Sequence, residues 1–259
     1  MEGRKRLHGE VALVTGGAKR IGAAISRAVA AEGAAVVVHH NESKREAIDL
    51  VEELRAAGGQ AWAVRGDLGK AGNRARILHD ARKAAGSPIT LLVNNASSFP
   101  EAKVSNLSRE DLREAVEVNA WAPFALARTF AEELPAGRRG AIVNLIDARV
   151  HDYDWHHVGY WLAKRMLADL TRICAVDFAP GVRVNGVSPG AVLGPSNRPM
   201  SPEEEKAFLT RMAKHIPLRR TPTPDDIAQA VVFLLSARAT TGAVIEVDGG
   251  RHLGRAVYG

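Results

Sequence analysis

A chain of 259 residues can bury one substantial core unaided, and its single cysteine, Cys174, excludes an internal disulfide and fits a reducing cytoplasm. The net charge of +6 permits nucleic-acid binding, but the basic residues are scattered without a stripe or interleaved aromatics. That argues against nucleic acid and for a solvated surface facing an anionic small molecule; no apolar run is long enough for a membrane span, and the basic start, residues 1–8, leads into a strand rather than a signal-peptide pattern.

In chain order, short β-branched or apolar runs predict strands at 11–15, 35–39, 61–65, 90–93, 141–146, 182–187 and 243–247. Helical patterns at 21–31, 44–57, 71–84, 109–134, 159–178 and 224–236 separate them. Strands that are apolar throughout predict a parallel sheet covered on both faces. Right-handed crossovers make this an α/β fold, one doubly wound Rossmann-type domain of about seven strands. No repeat or linker divides residues 1–259. A proline-rich stretch at 190–202, followed by Glu203-Glu204-Glu205, predicts a loop and helix covering a site over about 190–215.

The first strand runs into Gly16-Gly17-Ala18-Lys19-Arg20-Ile21-Gly22 and then a helix. Glycines there let the backbone approach a pyrophosphate, and the helix N-terminus favours its charge. Gly16, Lys19, Arg20, Ile21 and Gly22 are therefore cofactor candidates; the alternative is a tight turn that needs glycine and nothing more. After the second strand the chain reads His39-His40-Asn41-Glu42-Ser43, with no carboxylate at the strand end to hold a ribose 2′-hydroxyl. Arg20, placed near the adenosine ribose, favours a 2′-phosphate and so NADPH over NADH, with His39, His40, Asn41 and Ser43 beside it. Adjacent strand residues point to opposite faces, so the paired histidines read as neutral hydrogen-bonders rather than metal ligands.

Tyr160 and Lys164 lie one helical turn apart, which puts a phenol and an ammonium on one face. Such a cation lowers the pKa of a phenol, ordinarily near 10. Thirteen residues before Tyr160 stands Asp147. A carboxylate there would oppose negative charge developing on a ketone oxygen, but it can accept ring N–H donors or relay a proton to a reduced C=N nitrogen. The competing reading is a solvent-facing loop aspartate. Phe99 follows the fourth strand at the carboxyl edge of the sheet, where ligands bind, or else plugs the core. His157 shares a helix face with Tyr160 and reads as a substrate contact. The stretch around it, residues 150–157, reads as a pocket wall rather than a metal site, because no ligand spacing organises its histidines and aspartates.

Thr15-Gly16 with Gly22, Asn94-Asn95-Ala96, Asn119, Tyr160-x-x-x-Lys164 and the run from Arg183 to Gly190 together resemble the short-chain dehydrogenase/reductase family over nearly the whole chain. Arg20 in the first turn, Ser97-Ser98-Phe99 after Asn94-Asn95-Ala96, and Asp147 in place of a serine resemble its pteridine reductase branch. The resemblance implies NADPH-dependent reduction of a pterin or dihydrofolate ring. It assigns Tyr160 as proton donor, Lys164 to the nicotinamide ribose, and Asn119 to a helix kink and a relay water. It implies cofactor contacts at Asp67, Leu68, Asn95, Ala96, Ser97, Pro189, Gly190 and Val192, and substrate contacts at Ser97, Phe99, Asp147, His157 and Tyr160, with Phe99 stacking on the pterin. It implies a homotetramer and no metal. Two residues depart from the branch: Glu42 stands where a basic residue contacts the 2′-phosphate, and His157 where a tyrosine is usual. An ordinary carbonyl reductase of the family, acting on a 3-oxoacyl thioester or small ketone, is the alternative. A nucleotide-binding regulator without chemistry is disfavoured by the intact Tyr160, Lys164 and Asn119.

Overall fold

In a computed structural model, which describes residues 5–253, seven strands line up in parallel. They are β1 (Val11–Val14), β2 (Ala35–His40), β3 (Ala61–Arg65), β4 (Leu91–Asn94), β5 (Gly140–Leu145), β6 (Val182–Pro189) and β7 (Val244–Val247), in the order β3-β2-β1-β4-β5-β6-β7. The helices are α1 (Arg20–Ala31), α2 (Lys44–Ala56), α3 (Ala71–Ala85), α4 (Arg109–Val116), α5 (Ala122–Glu132), α6 (Val158–Asp177), α7 (Pro202–Ala213) and α8 (Pro224–Ser236). Residues 1–4 of the basic start lie outside the described residues. No described helix is long and apolar enough to cross a membrane.

The pleat explains the two-layer cover. Ala12, Val14, Val36 and Val38 point to one face and pack with Ile25, Val29, Ile227 and Val231 of α1 and α8. Leu13, Val37, Leu92 and Ile142 point to the other and pack with Ile77, Leu126 and Phe130 of α3 and α5. Each of the larger of these side chains contributes about 1.5–3 kcal/mol by leaving water. The edges depart most from continuous burial: β3 mixes buried and open positions, and β7 is half-buried throughout. Cys174 is buried in α6, and burial pushes its thiol up to about 11.

The long helix expected at 109–134 is broken. A π-helical turn, Glu117–Trp121, separates α4 from α5, and its closing bond runs from the Ala122 amide to the Glu117 carbonyl. Pro123, in the first turn of α5, has no amide to continue the ordinary ladder. The loop after β6 gives way to α7, which buries no residue, in keeping with a cover rather than a core element.

The register sets the strand ends level. Val14 pairs with both Val38 and Val93, Asn94 with Asn144, and Asn144 with Gly186. The chain order reverses between β1 and β4, so a crevice opens there beyond the carboxyl ends.

Candidate active site

The turn after β1 forms a cradle of bare backbone. Gly16 sits at a φ of 59°, and a Cβ on it would meet Ala96 Cα at 3.0 Å. A Cβ on Gly22 would run into the Gly16 carbonyl. Asn95 Nδ2 donates to the Thr15 and Gly16 carbonyls at 2.9 and 3.0 Å, and the Asn95 and Ala96 amides donate to Thr15 Oγ1 at 3.0 and 3.1 Å. These bonds tie the turn to the end of β4. Lys19, at the N-cap of α1, makes no side-chain cap, and Ile21 packs partly against the core. The first amides of α1 therefore keep their capacity for an anion, and the cradle fits a pyrophosphate-bearing dinucleotide.

Two cofactor assignments need correction. His39 is buried: its Nδ1 accepts from the Gly16 amide at 3.2 Å and its Nε2 reaches the Gly66 carbonyl at 3.0 Å. Nδ1 serves the turn and Nε2 the segment after β3, so the side chain braces the cradle and offers a ligand neither ring nitrogen. Burial pushes its pKa down to about 4, so it is a neutral hydrogen-bonder. Arg20 adopts a φ of 55°, a left-handed conformation that favours glycine and costs about 1–2 kcal/mol in an L-residue. Its guanidinium donates to the Gly194 carbonyl in the loop after β6, not toward the end of β2 where the adenosine ribose was expected.

The end of β2 is cationic for another reason. Parallel pairing sets His40 beside Arg65, whose Nε donates to the Asn41 carbonyl at 3.2 Å. Arg65, Asn41, Glu42, Asp67, Lys70 and Arg76 line a hollow of about 350 Å³. His40 is buried with Nδ1 unpartnered, and burial holds its pKa below the ordinary value. Ser43 heads α2 without a side-chain cap. Asp67 Oδ1 accepts from the Gly69 amide at 2.9 Å, while Leu68 is a core residue. On the other side of the crevice Pro189 ends β6, and the Gly190 amide donates to the Val247 carbonyl at 3.0 Å. The Val192 side chain is buried, which leaves its main chain for a ligand.

The chemistry-bearing groups converge beyond β5. Tyr160 Oη donates to Asp147 Oδ2 at 2.7 Å, and Asp147 Oδ1 accepts from the Arg149 amide at 2.8 Å, so the carboxylate faces inward. Burial and then the Asp147 charge push the Tyr160 phenol well above 10. This reverses the expected lowering by Lys164. The ammonium lies 5.7 Å from the Tyr160 ring centroid, donates to the Leu145 carbonyl at 2.7 Å, and is not what the phenol touches. Burial brings Lys164 itself from 10.5 down to about 8, against the pull of Asp147.

Asn119 sits fully buried within the π-helical turn, which is the kink expected of it. Its Nδ2 donates to the Ala115 carbonyl at 2.9 Å and Ser98 Oγ at 3.1 Å, and its Oδ1 accepts from Ser97 Oγ at 2.6 Å and the Ser98 amide at 3.1 Å. Both donors and both acceptor positions are filled. The side chain thus fixes the segment leading to Phe99 and leaves a relay water only the main chain of Asn119 to bind. Ser97 is held by the same amide but remains exposed.

Phe99 carries a cover of its own. His157 stacks on it at 3.9 Å between centroids and 18° between planes, the Arg149 guanidinium lies 4.8 Å from its centroid, and Tyr160 meets it edge-on at 4.7 Å. A bridge between Ala102 and His157 draws the two loops together. The face expected for a ring substrate is therefore taken by an imidazole from within the chain. Asp154 ties this group together by pairing with Arg149 at 2.6 Å and His157 at 3.1 Å. Burial alone would raise the Asp154 carboxyl, but Arg149, His157 and the His156 amide outweigh it and hold it below the usual range. Tyr153 and Trp155 are exposed, so only part of the 150–157 stretch is pocket wall.

A family model described as Enoyl-(Acyl carrier protein) reductase matches residues 16–252. The chain belongs to the short-chain dehydrogenase/reductase family. Pteridine reductase 1 of Leishmania tarentolae is 34% identical over 288 residues, covering 95% of this chain and 97% of that one. The structure of FolM alternative dihydrofolate reductase 1 from Brucella canis, complexed with NADP, superposes with a TM-score of 0.86 at 34% identity, covering 96% of each chain. The 7alpha-hydroxysteroid dehydrogenase of Escherichia coli strain K12 is 32% identical over 249 residues, covering 95% of each chain. This short-chain dehydrogenase/reductase is thus an oxidoreductase whose relatives include both pterin and ketone-alcohol enzymes.

Several structural roles in this oxidoreductase were not read from the sequence. Asn94 Nδ2 donates to Asn144 Oδ1 at 2.8 Å, and Asn144 Nδ2 to Thr171 Oγ1 at 2.9 Å, a buried ladder that locks α6 to the sheet. Arg183 donates to the Leu234 and Leu235 carbonyls at 2.8 and 2.6 Å, a cation at the C-terminus of α8. Arg65 and Arg149 carry no local signature, whereas the i,i+3 spacing of Asp154 and His157 was a signal available in the sequence.

Proposed function

We propose that this reductase uses NADPH to reduce a C=N bond of a pterin or dihydrofolate ring, with Tyr160 giving the proton to the ring nitrogen. The observation that carries the reading is the 2.7 Å bond from Tyr160 to Asp147. When bound, the nicotinamide supplies the hydride. The chain's own groups manage the proton. Burial and Asp147 keep the phenol protonated at neutral pH, so the donor is loaded. As Tyr160 gives up its proton, a phenolate beside the Asp147 carboxylate is unfavourable, and the carboxylate is placed to receive a replacement proton and pass it on. Lys164, held by the Leu145 carbonyl behind the Tyr160 ring, supplies positive charge to the same volume. A ketone would gain less here, because its developing oxyanion would face a carboxylate instead of a neutral donor.

For the cofactor, Arg65 with His40 and Asn41 supports a 2′-phosphate and hence NADPH over NADH. Ile173 and Val176 on α6 stay 60% and 82% exposed, apolar surface that a homotetramer would cover; light scattering of the purified enzyme checks this.

The alternative, carbonyl reduction, is favoured by the likeness to the hydroxysteroid dehydrogenase. Steady-state assays with NADPH and dihydrobiopterin, dihydrofolate, a 3-oxoacyl thioester and a small ketone separate the two. Turnover of a dihydropterin is expected; activity confined to ketones would overturn the pterin assignment.

A further inference from the structure

Asp154 is the hub of a polar cluster that proton transfer does not use. Its carboxylate accepts from Arg149 Nη1 at 2.6 Å, from the His156 and His157 amides at 3.0 and 3.2 Å, and from His157 Nδ1 at 3.1 Å. The two side chains that Asp154 holds lie against one ring, Phe99, which in turn touches Tyr160. The backbone of Arg149 is itself pinned, because Trp161 Nε1 donates to its carbonyl at 2.9 Å. The geometry is that of a frame built around an imidazole beside the proton donor.

In the neutral imidazole a carboxylate at Nδ1 favours the proton on that nitrogen and leaves a lone pair on Nε2. Among the described residues no protein donor reaches Nε2. The side chain is 15% exposed, so the free nitrogen is not sealed in the core. Pre-oriented by Asp154, the imidazole suits a ligand that brings N–H groups.

We propose that Asp154 is a positioning residue for substrate: it holds His157 in the Nδ1–H form so that Nε2 accepts a hydrogen bond from an N–H or NH₂ group of the ring to be reduced. The substrate class is then a flat heteroaromatic ring with an amino-substituted edge, which enters the pocket by displacing His157 along the face of Phe99 without breaking its bond to Asp154. Arg149, held by the same carboxylate and 4.0 Å from Asp147 Oδ1, keeps a positive charge between the frame and the proton donor. The inference rests on the pterin reading, since a simple ketone brings no such donors.

The positioning half is tested without substrate. Long-range ¹H–¹⁵N spectra of ¹⁵N-histidine enzyme, at a pH where the imidazole is neutral, should show His157 protonated at Nδ1. In Asp154→Asn that preference should be lost. A wild-type His157 protonated at Nε2 overturns the proposal. The substrate half is read from kinetics. Asp154→Asn and His157→Phe should each raise the dihydropterin KM about tenfold, the loss of one net hydrogen bond, with a smaller effect on kcat. His157→Phe preserves the stack on Phe99, so it separates a lost acceptor from a lost fold. The wild type should also discriminate against a 2-dimethylamino pterin, which lacks the exocyclic N–H, and His157→Phe should not. Dihydropterin turnover with an unchanged KM in both variants sinks the acceptor role alone; no dihydropterin turnover by the wild type sinks it together with the functional reading.

Discussion

The Tyr160 hydroxyl donates to Asp147 Oδ2 across 2.7 Å, so the phenol we propose as proton donor rests on a carboxylate rather than on a neutral hydroxyl. The carboxylate is the second cause, after burial, of the raised phenol pKa. Asp147→Asn should therefore lower the Tyr160 pKa relative to wild type while burial keeps it above 10, which tyrosinate absorbance against pH will read. Asp147→Ser should lower dihydropterin kcat about 10²–10³-fold, the scale for losing one preorganised group at the reacting bond. Unchanged pterin kinetics would remove Asp147 from the mechanism.

Lys164 gives a stability prediction with a definite sign. The unfolded side chain holds its proton up to 10.5, whereas the buried one releases it near 8. Between those values the unfolded state binds more protons, so wild-type stability rises with pH through that window. The folded-state penalty below pH 8 is on the order of 3 kcal/mol. Lys164→Met removes it, so the stability difference between variant and wild type should favour the variant more at neutral pH than near pH 10.5. Urea unfolding at both values measures this; a pH-independent difference would show that the ammonium is not buried in solution.

Cofactor choice divides two arginines. Arg65→Ala should weaken 2′,5′-ADP binding about tenfold, as expected for a lost charge-assisted bond, and leave 5′-AMP binding nearly unchanged. Arg20→Ala, because Arg20 holds the Gly194 carbonyl, should impair NADPH and NADH alike. Calorimetry with the two nucleotides decides the first, and the ratio of the two cofactor KM values the second. The opposite assignment, with selectivity lost only in Arg20→Ala, would restore Arg20 to the ribose.

Asn119 fills four hydrogen-bonding positions at once. Asn119→Ala should destabilise the fold by about 2–4 kcal/mol, because it leaves buried partners unmatched around the π-helical turn. Thermal unfolding gives the cost. A loss under about 0.5 kcal/mol, the range of an ordinary surface substitution, would mean that water replaces the amide at little cost.

By itself the sequence determined the strands, most helix limits and the glycine cradle, because those follow from periodicity and from local backbone chemistry that neighbours in the chain dictate. The spacing of Asp147, Tyr160 and Lys164 was legible for the same reason. Only the tertiary structure decided where the side chains between elements pointed. His39 turned out to brace Gly16 because β2 lies beside β1; Arg20 turned to Gly194 because the loop after β6 comes over the turn; His157 met Phe99 because Ala102 pairs with it. The direction of the Tyr160 shift reversed in the same way, first because the fold buries the phenol and then because it sets the Asp147 carboxylate, not the Lys164 ammonium, against the hydroxyl.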